Sequence, residues 1–547
     1  MTSTPALLRS LPAILALRMR LVSVFLLASL GFGTALNAQP LDFQMGNPAE
    51  IKLKGQYVQI LGQVKETYLV ITKEPNAMFV LTTVAKDLTP LQSLRINFPD
   101  DTKLKYQLKS AWLLGNRIVL LSHCFNKALR QDQYHWWELS LEGVLQKGPV
   151  EAARINGNGT VTDPLISPVF GCSRDLKVVY ALFPEPSTFG QSIAGIRCKQ
   201  WDSELELLCN RSLNLSVENQ IAKVLTADFS DANRGIVTLD LVSIPKPGVK
   251  STPSLASNQR LCKISVPQAS ITALPIRSEE YPYVHQVKGR WSDDASSILA
   301  ISTLSTSYKS GIQSILLQKW TPSDTTPAHR HSYAIPASFK KSADLLNKKF
   351  RDTGTPKRQL KEVMDLSNQI VEIDRDRFTV FGCIERVNRE APVGKKSDEV
   401  SDAEATYTHY AQGNLTLHGT WSQGIQKHLE NPIDQIIQPK GMNLPTGILG
   451  LPHPSQTLMI YNDLPENMTV RHQAFKVKGM NNENLKEAKT VLLHVDSEGR
   501  FSFFKPFSNP KDQGRIYPST AWMESKNAFV FVGSDSRGMM RLVKATY

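Results

Sequence analysis

The residues whose types could support chemistry are dispersed along the chain. Hydrolysis or elimination at a sugar needs a general acid brought together with a nucleophile or base. The acidic residues that fall at strand ends are Asp228, Asp240, Asp374, Asp376, Glu385 and Asp463, and no spacing selects a pair among them. A metalloprotease would show two helical histidines flanking a Glu, and a phosphate loop would show glycines ahead of Lys and Ser or Thr; neither occurs. The serine-hydrolase pattern Gly-x-Ser-x-Gly is also absent, and its nearest approaches, at Ser192 and Ser534, have the wrong spacing and read as turns. His329 and His331 alternate as strand neighbours and share a face, yet no third ligand accompanies them, which favours a solvated loop over a metal site. His123 and Cys124 are adjacent, so in a strand they point to opposite faces and do not form a nucleophile with its base. No metal or cofactor is expected.

Two groups remain as site candidates. Tyr134-His135-Trp136-Trp137 is the densest aromatic cluster, of a kind that stacks on sugar rings or proline-rich peptides when exposed; in an alternating strand, about half of it packs inward instead. Cys198 and Cys209 bracket a segment that turns about Asp202 to Leu205, and a hairpin there would set the two opposite one another as a disulfide candidate, with buried free thiols as the alternative. With Cys124, Cys172, Cys262 and Cys383 they make six cysteines in 547 residues, too few and too scattered to be a framework.

The elements that must position these residues are short strands. Runs such as Thr67 to Thr72, Arg117 to Ser122, Gly235 to Val242, Ser297 to Ser302 and Ala528 to Gly533 are rich in Val, Ile, Leu, Phe and Tyr and are separated by turn residues, with little helical periodicity. This is an all-β pattern. A recurring turn gives it a period: Ser173-Arg174-Asp175, Ser230-Asp231 and Ser292-Asp293-Asp294 each precede a strand, roughly 57 and 62 residues apart. A short polar side chain there bonds nearby backbone amides and holds the turn. Second turns follow later in the units, at Ser140 to Gly143, Asp202 to Glu204 and Asp496 to Gly499.

With these turns the chain resembles the β-propellers whose blades carry a Ser-x-Asp-Gly-like turn before the second strand, of the WD-repeat-like or translocation-associated type. It also looks like uncharacterised exported bacterial propeller proteins. The resemblance is strongest over 165–320. The turns here mostly lack the Pro and Gly of that pattern, and no Trp-Asp ending is present. The resemblance implies an all-β β-propeller. Strand clusters beginning near residues 55, 108, 165, 221, 283, 370, 446 and 514 give about seven blades, within six to eight, once the last partial unit closes with an early strand. Two stretches break the rhythm. Residues 338–370 carry helical spacing at Leu345, Leu346 and Phe350 and again at Leu360, Val363 and Met364, predicting a helical hairpin insertion; residues 388–405 are polar and predict a loop.

The N-terminus reads as an export signal. Arg9, Arg18 and Arg20 precede the apolar run Leu21 to Phe32, which is too short to span a bilayer, and small residues lead to a cleavage point after Ala38. The expectation is a signal peptide over 1–38, with Met19 an alternative start, and one propeller domain over 39–547. No later run is apolar enough to span a membrane, so a secreted or periplasmic location follows. The net charge of +13 is spread along the chain with no basic stripe interleaved with aromatics, so no nucleic acid is expected as partner. With no reaction centre in view, the sequence favours a monomeric, non-catalytic binding or scaffold module for a protein, peptide or glycan of the cell envelope. The alternative is a propeller-type polysaccharide hydrolase or lyase using funnel carboxylates.

Overall fold

The protein was examined as a computed structural model that describes residues 42–45, 57–73, 79–99, 104, 106–126, 128–156, 167–185, 193–217, 220–243, 259–276, 278–307, 310–339, 365–372, 374–390, 406–437, 448–453, 456–467, 479–481, 483–496, 498–504, 515–525, 528–534 and 540–546. The signal expected over 1–38 lies outside them.

Strand follows strand in antiparallel hairpins, and the ladders resolve into consecutive four-stranded units. The units occupy residues 57–96, 107–156, 169–216, 220–274, 283–334, 365–437 and 449–504, and a last one is built from 515–546. That last unit takes its outer strand from the start of the chain: Asp42–Met45 pairs antiparallel with Val543 to Thr546. The outer strands of the third and fourth units also touch through a single parallel bridge, Asn214 to Ser270.

The central strands bury apolar residues on both faces, as Ile298–Ser305 and Ala528–Ser534 do along their whole length, because each unit is packed between two others. The first and second units share Leu69, Ile71, Leu81, Leu113, Leu120 and Trp137. The second and third share Leu121, Trp136, Val179, Ala181 and Trp201. Comparable clusters lie between every later neighbouring pair. Val530, Val532 and Leu542 of the last unit then pack on Ile60, Tyr68 and Val70 of the first, so the packing closes on itself.

The predicted Ser-Asp turns join first strand to second. In the third unit the Ser173 hydroxyl donates to Asp175 at 2.6 Å and accepts the Val178 amide at 3.1 Å. The fifth unit repeats the arrangement, with Ser292 to Asp294 at 2.7 Å and the Ser297 amide to Ser292 at 2.9 Å. Where such turns carry glycine in related patterns, these two carry Leu176 and Ala295 at φ +55° and +54°. The side-chain hydrogen bonds hold residues there that steric repulsion disfavours by about 1–2 kcal/mol. The second set of turns joins third strand to fourth, as at Asp202, whose carboxylate accepts the Glu204 and Glu206 amides, each at 2.9 Å.

Two expectations about interruptions change. Residues 337–339 are helical, and Leu345, Leu346, Phe350, Leu360, Val363 and Met364 lie outside the described residues, but Asp365–Glu372 is a strand. The predicted helical stretch to 370 therefore ran over the first strand of the sixth unit: its Leu366 and Ile370 fit a helical period by chance while pairing in register with Ile384 and Val380. The polar loop begins later than 388, because Arg377–Glu390 remains paired to Thr406 at its end; 391–405 lies outside the described residues.

Candidate binding face

Antiparallel order sorts the connections onto two faces. Turns from first to second strand and from third to fourth fall on one face; links from second to third strand and from unit to unit fall on the other. The turn face is tied together across units. Arg174, in the turn of the third unit, grips Asp228 at the end of the fourth unit's first strand, at 2.8 to 3.0 Å, and its guanidinium reaches the Ser292 carbonyl in the fifth unit's turn at 3.4 Å. Asp228 also accepts the Trp291 amide at 2.9 Å. Farther round, Lys319 of the fifth unit bonds Glu372 and the Arg375 carbonyl of the sixth, at 3.0 and 2.9 Å.

The acidic residues singled out by the sequence are placed individually. Asp228 is held as just described. Asp374 accepts the amides of Asp376 and Arg377 and the Arg377 guanidinium, while Asp376 accepts the amide and hydroxyl of Ser422. Asp463, fully buried, accepts the Leu464 amide and the Asn467 side chain. Asp240 lies on the second strand of the fourth unit, and the Glu385 side chain lies outside the described residues. Asp228 thus staples three units together, Asp374 and Asp376 hold turns within the sixth unit, and Asp463 holds the start of the link that follows its strand.

The aromatic candidates divide between two packing faces. Trp137 is buried against the first unit, with its indole N–H donating to Ser122 at 2.7 Å, and Trp136 is buried against the third, edge-on to Trp112 and Trp201. Neither indole face is open to a ligand as placed. His135 is buried beside Tyr106, and burial lowers its pKa. Tyr134 is half-buried at the loop-face end of its strand.

His123 and Cys124 do point apart, and each finds a partner across the ladder that sequence reasoning missed. His123 Nε2 lies 2.6 Å from Asp132, and Cys124 Sγ lies 3.9 Å from His135 Nδ1. Burial lowers the His123 pKa against the opposing effect of the Asp132 hydrogen bond. The signal for both pairs was the hairpin register, which fixes which residues of adjacent strands share a face.

Cys198 and Cys209 lie on the predicted hairpin but not opposite one another. Cys198 pairs with Arg211 and Cys209 with Gln200, so the two are diagonal neighbours. The turn takes five residues, 202–206, with a bulge at Trp201, and this sets the offset. Both are free thiols in a shared hydrogen bond, which pushes Cys198 up and draws Cys209 down to about 7. His329 and His331 share a face as expected, and His331 Nε2 donates to the Trp421 carbonyl at 2.8 Å. Among the described residues no group of three or more His, Cys, Asp or Glu side chains is arranged to hold a metal, and no helix is long and apolar enough to cross a membrane.

A circle of four-stranded antiparallel sheets packed face to face, closed by the first strand of the chain, is the architecture of a β-propeller. Several solved structures are similar to this chain at low identity. The WD40 domain of SCAP from fission yeast aligns with a TM-score of 0.35 and 10% identity, covering 92% of this chain and 98% of that one. The α-L-arabinofuranosidase Arb93A of Fusarium graminearum gives 0.33 and 11%, covering 62% and 91%. A prolyl endopeptidase gives 0.37 and 9%, and this chain, 88% covered, spans 55% of that protein's length. At these values the likeness concerns fold alone. No protein-family model matches the chain, and no curated protein matches it.

Proposed function

We propose that the chain is an exported, monomeric, non-catalytic propeller of eight blades that binds a protein, peptide or glycan of the cell envelope through its loop face. The observation that carries this reading is the asymmetry of the connections. On the turn face they are short, the longest being 321–328, and polar groups there hold turns together and staple neighbouring units. On the other face the links include 244–258, 391–405, 464–488 and 335–364, lengths that closing a hairpin does not require. Long connections on a rigid scaffold are where binding surfaces are built. The engagement of Asp228, Asp374, Asp376 and Asp463 in structural contacts favours binding over a funnel hydrolase or lyase.

The test places a photo-crosslinking amino acid on each face, replacing Leu129 beside the second unit's loop or Leu176 in the third unit's turn, both about half exposed. Adducts with envelope components from position 129 and none from 176 are expected. Equal adducts from both positions, or none from 129, would sink the proposal.

A further inference from the structure

Resting on the binding reading above, the geometry points to an acidic glycan, one bearing uronate carboxylates, as the ligand of a subsite at the loop-face end of the contact between the second and third units. Three rings stand there in series. His123 and Tyr134 have centroids 5.0 Å apart at 40°, and Tyr134 and Phe170 are 5.0 Å apart at 39°. They come from three strands of two units, so the row is fixed by tertiary packing rather than by one hairpin. All three are half-buried. Asp132, itself buried, fixes the imidazole through a hydrogen bond at 2.6 Å. A tilted series of partly exposed rings matches the C–H faces of successive pyranose rings, which bury apolar surface while their hydroxyls stay wet.

The charge beside the rings specifies the sugar. Lys199 of the third unit lies half-buried with its ammonium 5.8 Å from the centre of the Phe183 ring, and Phe183 packs on the same inter-unit cluster as Tyr134 and Phe170. The neighbouring cations are neutralised, Arg197 by Glu185 at 2.6 Å and Arg154 by Glu151. Lys199 has no carboxylate partner among the described residues. Burial, with Arg197 and Arg154 nearby, lowers its pKa despite Glu151. A half-buried cation without a salt-bridge partner carries a desolvation cost that a bound anion offsets. On the other side of the row Lys109 is exposed and close enough to His123 to depress its pKa. Rings flanked by the half-buried Lys199 and the exposed Lys109 select a sugar carrying carboxylates over a neutral one.

The test is calorimetric titration of the purified protein with polygalacturonate, neutral galactan and poly-L-glutamate at low ionic strength. Polygalacturonate is expected to bind, galactan and polyglutamate at least tenfold more weakly, with affinity falling as salt rises. Lys199→Gln and Tyr134→Ala are each expected to weaken binding at least tenfold while Lys199→Arg keeps it, thermal melts confirming that each variant is folded. Absence of polygalacturonate binding, equal binding of polyglutamate, or indifference to both variants overturns the inference. If polygalacturonate fails while position 129 still crosslinks another envelope component, the subsite is wrong and the binding reading stands; if both fail, both are wrong.

Discussion

The Arg174 guanidinium lies 2.8 Å from the Asp228 carboxylate, joining the turn of one blade to the inner strand of the next, and the same carboxylate takes the Trp291 amide of a third. Both side chains are mostly shielded, and the pair is reinforced by backbone contacts from Arg174 to Phe229 and by the Trp291 indole to the Asp228 carbonyl. Asp228→Ala should cost about 2–3 kcal/mol, since it strands a guanidinium and a backbone amide. A double-mutant cycle with Arg174→Ala in urea should return a coupling of about 1 kcal/mol, and additivity would show that the contact does not tie the blades.

Leu176 holds a left-handed backbone conformation while its side chain is about half exposed. Leu176→Gly should therefore raise stability, by about 0.5–1 kcal/mol after the entropy that glycine adds to the unfolded chain. Glycine at most exposed strand positions would destabilise, so a gain in the urea midpoint is diagnostic.

Asp42–Met45 completes the last blade by pairing with Val543 to Thr546. A variant beginning at residue 51 should melt several degrees lower, because the last blade loses its outer strand. It should also self-associate through the exposed edge, visible by light scattering. An unchanged melt would mean that this pairing contributes nothing to closure.

His123, His135, His285 and His494 all have pKa values lowered chiefly by burial. Asp294 is held at about 2 by hydrogen bonds from Ser296 and Ser292. A group whose folded pKa is depressed contributes stability above its unfolded pKa and loses that contribution as pH falls through the folded value. Stability should decline below about pH 6.5 as the histidines charge, and decline again between about pH 4 and 2 as Asp294 is protonated. Urea midpoints across that range check the order; a maximum near pH 5 would contradict it.

Cys209, drawn down by its hydrogen bond to Cys198, should alkylate faster with iodoacetamide at pH 8 than Cys172 or Cys262, whose thiols burial pushes up to about 12. Peptide mass spectrometry after timed labelling reads the order. Protection of Cys198 and Cys209 until reductant is added would mean that the diagonal pair, with an ordinary α-carbon spacing of about 7–8 Å, has shifted to close a disulfide.

The all-β class, the strand rhythm and the staple turns were legible because each depends on residues close in sequence. Ser173 with Asp175, and Asp202 with Glu204, satisfy backbone amides within a few positions, and alternating burial follows from the two-residue period of a strand. The over-long helix near 338–370 failed for a related reason: apolar residues four apart, such as Leu366 and Ile370, fit either period, and only their pairing with Ile384 and Val380 decides.

Tertiary structure alone decided which chemistry-bearing side chains meet. The aromatic cluster was visible as a string of letters, but packing sent Trp136 and Trp137 into opposite inter-blade cores and left Tyr134 beside Phe170 of the next blade. Asp228 was one acid among six until the approach of Arg174 and Trp291 from two other blades fixed it as a staple. Local spacing sets strand, turn and face, whereas contacts between blades depend on registers and closures tens of residues apart, which no local pattern encodes.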